Sequence, residues 1–275
     1  MLVAFDFGIS NTDIAVFQDQ KTSFYTIPSR HKSINPELIR ELLSHHSLSL
    51  PQISLIGVTG GKSSDLPDNI DSIQVVKINE VDAIGFGAKI LYKIDEEPTL
   101  IVSAGTGTAC IMVQGENFSH LGGIAVGGGM LEGLGSILFN NSLGQEINEF
   151  ATQGTRDKLD LLIGDVVNKI GSLPPEITAV NFGKAKTTSA DSKENMSAAL
   201  SNMIGEVIGT IAYLNALLIG STRSCFLGRT SYLSEVTKGI EGRLELAGIT
   251  GEYNNQREYG NVIGVIEKLK TTLES

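Results

Sequence analysis

Asp6 closes a short apolar run, Leu2 to Phe5, and the polar stretch Gly8-Ile9-Ser10-Asn11-Thr12 follows almost at once. A carboxylate at a strand end, beside glycine and hydroxyl groups, suits a hydrated magnesium ion held next to a phosphate chain. The pattern returns at residues 100–113, where two apolar runs flank the turn Gly105-Thr106-Gly107-Thr108. Tight turns of glycine and threonine present backbone N–H groups and small hydroxyls, which can wrap phosphate oxygens. Each turn alone reads equally as an ordinary hairpin, with Asp6 bonded to its own backbone. A third element strengthens the phosphate reading: Gly122-Gly123, then Gly127-Gly128-Gly129 leading into Met130-Leu131-Glu132. Glycines before a helix admit a ligand to its positive end, or let helix and strand pack closely.

Phosphoryl transfer to a hydroxyl also needs a base at the acceptor oxygen. Glu80 is the candidate, because it follows the apolar run Val75–Ile78 and opens a helical pattern. That places its side chain at a strand end, where an ordinary first-turn glutamate would also lie. Asp82 is the runner-up. Asp13, on the second strand of the first turn, is expected to face solvent, since its charge would otherwise oppose the phosphates.

The positioning elements follow from periodicity. Strand patterns occupy 2–6, 13–18, 23–27 and 53–58, with a helix at 36–47 begun by Asn35 and Pro36. Residues 62–72 read as a loop, 75–78 as a strand, and the following helix runs to about Tyr92. Asp95-Glu96-Glu97-Pro98 marks a boundary. It divides an N-terminal lobe, 1–97, carrying the first turn and the candidate base Glu80, from a C-terminal lobe, 98–275, carrying the second turn. In the second part a helix runs to about Phe139, and further helices are expected at 145–171, 192–218, 233–246 and 261–269, with a strand at 225–227. The strand-turn-strand pattern occurs once per lobe, so the expected fold is α/β, with two related lobes around a cleft.

Composition bounds the partners. The chain has 275 residues, 41% hydrophobic and 19% charged, enough for a sizeable core. A net charge of −10 with scattered Lys and Arg argues against nucleic acid or an anionic membrane surface. Cys110 and Cys225 lack zinc-ligand spacing. The expectation is a soluble cytoplasmic protein.

With Val58-Thr59-Gly60-Gly61, Asn79–Ala83, Ala179–Gly183, Ile204–Val207, Phe226-Leu227-Gly228 and Tyr259–Gly264, these elements resemble the actin-like ATPase superfamily. Within it the chain is most similar to type II, eukaryotic-like pantothenate kinases. The resemblance implies a two-lobed ribonuclease H-like fold with an interlobe nucleotide cleft. It implies ATP-dependent phosphorylation of pantothenate to 4'-phosphopantothenate, the first step of coenzyme A biosynthesis. ATP and Mg2+ are the implied cofactors, with Mg2+ at Asp6 and Glu80 as catalytic base. The nucleotide would meet Asp6, Gly8, Ser10, Asn11, Gly105, Thr106, Gly107, Thr108, Gly128, Gly129, Met130, Leu131, Glu132, Gly228 and Arg229. The acceptor would meet Glu80, His120, Gly122, Gly123, Arg257 and Tyr259. A homodimer, with the apolar helix at 195–218 as interface, and coenzyme A or an acyl-coenzyme A as feedback ligand are also implied.

Three positions depart from the family pattern. Asp13 stands where the family has a lysine, so another cation such as Lys62 would have to serve the phosphates. His120 stands for an arginine that binds the acceptor's carboxylate, leaving Arg257 as a second candidate for that role. Arg229 replaces a small polar residue beside the adenine, where it could stack on the base or obstruct it. Two other readings therefore stay open: a kinase of the same fold for another small hydroxylated substrate, and a non-catalytic relative that binds nucleotide or coenzyme A.

Overall fold

The strand-turn-strand unit is built twice, on two sheets of matching order. The structure, a computed structural model, describes residues 1–29, 33–168, 174–187 and 192–274. In the first sheet β1 (Leu2–Phe7), β2 (Asn11–Gln18) and β3 (Lys21–Pro28) form an antiparallel meander. Next come β4 (Leu55–Thr59), β5 (Asn69–Ile70) and β6 (Ile73–Lys77), giving the order β3-β2-β1-β4-β6-β5. The second sheet starts with a like meander of β7 (Thr99–Ala104), β8 (Thr108–Gln114) and β9 (Asn117–Ile124). A two-stranded ribbon of β10 (Leu161–Leu162) and β11 (Thr178–Val180) stands apart. Then β12 (Arg223–Leu227) and β13 (Thr250–Tyr253) add in parallel, giving β13-β12-β7-β8-β9. The meander β3-β2-β1 followed by parallel β4 and β6 thus matches β9-β8-β7 followed by β12 and β13.

Alternating side chains on each central strand reach opposite helical layers. Val3 and Phe5 face α1 (Pro36–His45), whose Leu38, Ile39, Leu42 and Leu43 form one apolar stripe. Asn35 caps that helix by accepting the Leu38 N–H at 2.9 Å. Leu2 and Ala4 face α8 (Gly260–Glu274), through Val262, Val265, Ile266 and Leu269. In the second sheet Ile101 and Ile111 face α2 (Glu80–Tyr92), through Ile84, Ala88 and Tyr92. Leu100 and Val102 face the opposite layer, made by α3 (Gly128–Phe139), α4 (Gly144–Gln153), the long α6 (Lys193–Ile219) and α7 (Ser234–Leu246). A helix from the first part of the chain therefore packs on the second sheet, and the last helix packs on the first.

Between the sheets α2 and α8 meet backbone to backbone. A Cβ on Gly264 would lie 1.9 Å from the Ala83 carbonyl oxygen, and one on Gly87 would lie 1.9 Å from that of Gly260. Only glycine permits so close an approach.

Besides β5 inside the expected loop 62–72, the unexpected β11 and β13, and an α8 that runs past 269 to Glu274, two segments differ from the expectation. The helix expected over 145–171 stops at Gln153, at Gly154, where a Cβ would lie 2.0 Å from the Glu194 carbonyl oxygen at the start of α6. Beyond it come a 3-10 turn (Arg156–Lys158), β10 and the single turn α5 (Ile163–Val166), organised around fully buried Asp160. Residues 169–171 of that expectation lie outside the described residues. The strand β9 is the other difference, because Asn117-Phe-Ser-His-Leu-Gly-Gly-Ile lacks the alternation of a half-buried strand, and only pairing with β8 makes it one.

The helix crossing can be tested with a matched pair of variants. Gly264→Ala is expected to destabilise the protein by about 3 kcal/mol or more in urea unfolding, because backbone must move to admit the methyl. Gly242→Ala, on an open face of α7 with nothing near its Cβ, is expected to be neutral or to stabilise by up to about 1 kcal/mol.

Candidate active site

A cavity of about 1160 Å³ opens between the two sheets. Of the residues expected at the site, Asp6, Gly8, Ser10, Asn11, Glu80, Gly105, Thr106, Gly107, Thr108, His120, Gly123, Gly128, Gly129, Leu131, Glu132, Gly228, Arg229 and Arg257 line it. Gly122, Met130 and Tyr259 do not. Tyr259 is stacked on Phe24 at 4.6 Å between ring centroids, as packing against β3.

The two glycine-containing turns, between β1 and β2 and between β7 and β8, face each other across the cavity. Their tips touch, with Ser10 Oγ 3.0 Å from Thr106 Oγ1. The amides of Gly8, Ile9, Ser10, Thr106 and Gly107 have no acceptor among the described residues. A Cβ would fit at Gly105 and Gly107, with no atom closer than 4.0 and 3.4 Å respectively. Packing therefore does not demand glycine at these two positions, whereas close approach of a ligand would.

The glycines before α3 behave differently. Gly128 N–H donates to the Gly105 carbonyl (2.9 Å) and to Thr230 Oγ1 (3.0 Å), and Gly129 N–H donates to the Thr106 carbonyl (3.0 Å). A Cβ on Gly127 would lie 2.7 Å from the Gly105 carbonyl oxygen, and one on Gly129 would lie 2.6 Å from Thr106 Cγ2. For residues 127–129 the close-packing alternative holds: the helix start braces the second turn.

Asp6 is the next-to-last residue of β1, and Asn261 Nδ2 of α8 donates to its Oδ2 at 2.9 Å. Gly60, at φ +75°, is shaped around the same carboxylate, since a Cβ there would sit 2.4 Å from Asp6 Oδ1. Burial, and next the charge of Asp13 opposite it on β2, push the Asp6 pKa up to about 7. Asn261 and Gly60 lie within motifs of the sequence, but nothing in their spacing assigns them to Asp6.

Asp13 does not face solvent as expected. It is 5% exposed and accepts from Arg229 Nη1 (2.8 Å), Arg229 Nη2 (2.6 Å) and Thr26 Oγ1 (2.7 Å). Arg229, expected beside an adenine, directs its guanidinium at the first lobe. Arg257 is buried: its Nε donates to Ser231 Oγ (2.8 Å), Nη1 to the Asn254 carbonyl (2.9 Å) and Nη2 to the Ser231 carbonyl (3.1 Å). Its guanidinium also lies 3.3 Å from the centre of the Tyr232 ring. These contacts tie the loop after β13 to the turn after β12.

Glu80 is the first residue of α2, next to the cap residue Asn79, whose Oδ1 accepts the Val81 N–H at 2.8 Å. A Cβ on Gly85 would overlap the Phe118 ring at 2.4 Å, so α2 is seated closely on β9. On β9 a bulge pairs Ile111 with His120 and Cys110 with Gly122, leaving Leu121 extra. Bulges re-aim side chains beside sites, and His120 lines the same cavity as Glu80.

A family model described as Fumble matches residues 89–238, more than half of the chain. The chain belongs to the Fumble family, that of the type II pantothenate kinases. It is similar to the type II pantothenate kinase of Oceanobacillus iheyensis, 34% identical over 178 residues, 63% of this chain and 66% of the relative. The corresponding protein of Bacillus thuringiensis subsp. konkukian is 30% identical over 203 residues, 68% of this chain and 74% of the relative. In fold the Fumble chain is similar to the activator of the 2-hydroxyisocaproyl-CoA dehydratase from Clostridium difficile with bound ADPNP. That match has a TM-score of 0.68 at 14% identity, over 100% of this chain and 97% of the other. The architecture is the actin-like ATPase fold.

The Asp6 environment gives a pH signature. Asp6 titrates near 7 in the folded protein against an ordinary 3.8, so between those values the folded state keeps a proton that the unfolded chain has lost. The stability it contributes is full below about pH 4 and declines as pH rises to about 7. Asp6→Asn is expected to unfold at a higher temperature than wild type at pH 8 without ligand, and at a similar one at pH 4.

Proposed function

We propose that this chain is an ATP-dependent pantothenate kinase, transferring the terminal phosphoryl group of ATP to the 4'-hydroxyl of pantothenate. The observation that carries the phosphate chemistry is the pair of turns meeting at Ser10 and Thr106, their unpaired amides lining one cavity with Glu80. The names of the relatives support pantothenate as acceptor, and the ADPNP bound to a protein of like fold supports ATP.

In this reading the nucleotide's phosphates lie between the turns, bonded by the amides of Gly8–Ser10 and Thr106–Gly107. Amides fixed before the reaction stabilise developing phosphoryl charge without reorganising. Glu80 accepts the proton of the attacking hydroxyl from the wall formed by α2 and β9. His120 meets the acceptor's carboxylate, because three nitrogens of Arg257 are engaged by Ser231 and Asn254.

The residues present fit a magnesium ion. Asp6, Asp13, Glu80, Glu132 and Glu258 line the cavity, an excess of carboxylate over Arg229, Arg257 and His120. Asp6, one oxygen bonded to Asn261 and its charge disfavoured, would gain most from a cation. Among the described residues no cluster of three or more His, Cys, Asp or Glu could cage a metal, which suits an ion completed by water and phosphate oxygens. Bound there, the ion would offset the phosphate charge. We further place the enzyme in the cytoplasm as a homodimer, with exposed Leu214, Leu217 and Leu218 of α6 at the interface. Coenzyme A or its thioesters, carrying both a pantothenate arm and an adenine nucleotide, would compete for the cavity.

The test is ADP release by purified protein with Mg-ATP and a panel of hydroxylated acceptors led by pantothenate. Pantothenate is expected to give the highest turnover; release only with another acceptor would favour a kinase of different specificity. Glu80→Gln is expected to lower turnover by roughly 10²-fold or more while leaving Mg-ATP binding by calorimetry nearly intact. Unchanged turnover would remove Glu80 as base.

The second turn has its own test. Gly107→Val is expected to abolish measurable Mg-ATP binding with little change in unfolding temperature, since the free chain has room for the side chain and the phosphates do not. Wild-type affinity would mean that Gly107 serves turn geometry alone.

A further inference from the structure

The cavity is short of cations. Neither the first phosphate turn, residues 8–13, nor the second, 105–108, contains a lysine or arginine. Lys62, the substitute expected from the sequence, does not line the cavity. The Arg257 guanidinium is committed to Ser231 and Asn254. Arg229 remains.

The first lobe grips Arg229 firmly. Both Asp13 oxygens accept from it, and Thr26 Oγ1 accepts a further Nη2 bond at 2.8 Å. These contacts occupy both hydrogens of Nη2 and one of Nη1. The Nε–H and the second Nη1–H have no acceptor among the described residues. The Asp13 side chain is 7% exposed and that of Arg229 37%, so the carboxylate is deep while the guanidinium keeps an open edge on the cavity. A guanidinium gripped through three of its five N–H groups is held in fixed orientation, and its two free donors, on opposite flanks, can each meet a phosphate oxygen.

We propose that Arg229 is the phosphate-binding cation of this site, delivered from the second lobe and aimed by Asp13 and Thr26 of the first. This rests on the reading that ATP binds between the turns, and adds which side chain meets its phosphates. Asp13 is a positioning residue: it faces Asp6 across β1 and β2, and only the guanidinium keeps its charge compatible with a polyphosphate. The grip joins β2 to the turn after β12, so the same ion pair that would aim the cation also ties the two sheets.

The deciding variant is Asp13→Asn with Arg229→Gln, which removes both charges and leaves no buried carboxylate unpaired, so that the fold is kept. Calorimetric titration of the full chain with Mg-ATP, and separately with adenosine, reads the result. Mg-ATP affinity is expected to fall roughly 10²-fold or more, the scale of two charge-assisted hydrogen bonds, with adenosine affinity unchanged. Arg229→Gln alone is expected to lose at least as much, and Arg229→Lys to recover part. Wild-type Mg-ATP affinity in the double variant would overturn the proposal and leave the pair a tie between lobes. Equal losses for Mg-ATP and adenosine would also overturn it, by placing Arg229 at the base. A wild-type chain that fails to bind Mg-ATP would take down the kinase reading itself, an outcome separate from both.

Discussion

The contact between α2 and α8 sets the distance between the two sheets. At Gly87–Gly260 and Gly264–Ala83 the helices touch through main chain alone, which leaves no side chain to slide or change rotamer. Each helix is exchanged relative to chain order, α2 lying on the second sheet and α8 on the first. Each also starts at the cavity: Glu80 is the first residue of α2, and Asn261 the second of α8. The crossing that spaces the sheets therefore also spaces the candidate base from the carboxylate that Asn261 holds.

Electrostatics is the second constraint. Asp6 and Asp13 are partners in register on adjacent strands, and Glu80 adds to the field that Asp6 feels. Burial first, and next the neighbouring carboxylates, oppose the ionisation of Asp6, which is why it holds its proton to about 7. Such a site is unfavourable when empty and favourable once cations enter. Of the two arginines that line the cavity, Arg257 is bonded to Ser231 and Asn254, and Arg229 reaches Asp13 from the turn after β12. A buried ion pair is weak evidence for stability, because desolvation offsets much of its attraction. Its value here is placement: a bidentate carboxylate and a threonine hydroxyl fix a guanidinium that would otherwise sample many rotamers.

Asp13 and Arg229, two positions that the sequence resemblance singled out separately, thus meet in space. Asp13 alone looks like the loss of a positive charge, and Arg229 alone like an obstruction beside the base. Bonded to each other at 2.6 and 2.8 Å, they form a single feature. His120, on the strand with the bulge, lines the cavity and has no such partner among the described residues.

Features carried by neighbours along the chain are legible in the sequence by itself. Apolar runs broken by glycine, serine and threonine mark both turns that line the cavity, and the step from strand to helix places Glu80 beside it, because strand and helix periods act over a few residues. The three-way meeting of Asp13, Thr26 and Arg229 is not legible this way, since 216 residues separate aspartate from arginine. Nor is the end of α4 at Gly154, which a carbonyl from α6 imposes, or the strand character of β9, which β8 confers. The same holds for the glycines of the site. Gly105, Gly107 and Gly127–Gly129 look alike in the sequence, yet only the packed turn shows which have room for a side chain and which press against carbonyl oxygens. Local chemistry is written in adjacent residues, whereas charge partners and steric room depend on what distant segments bring into contact.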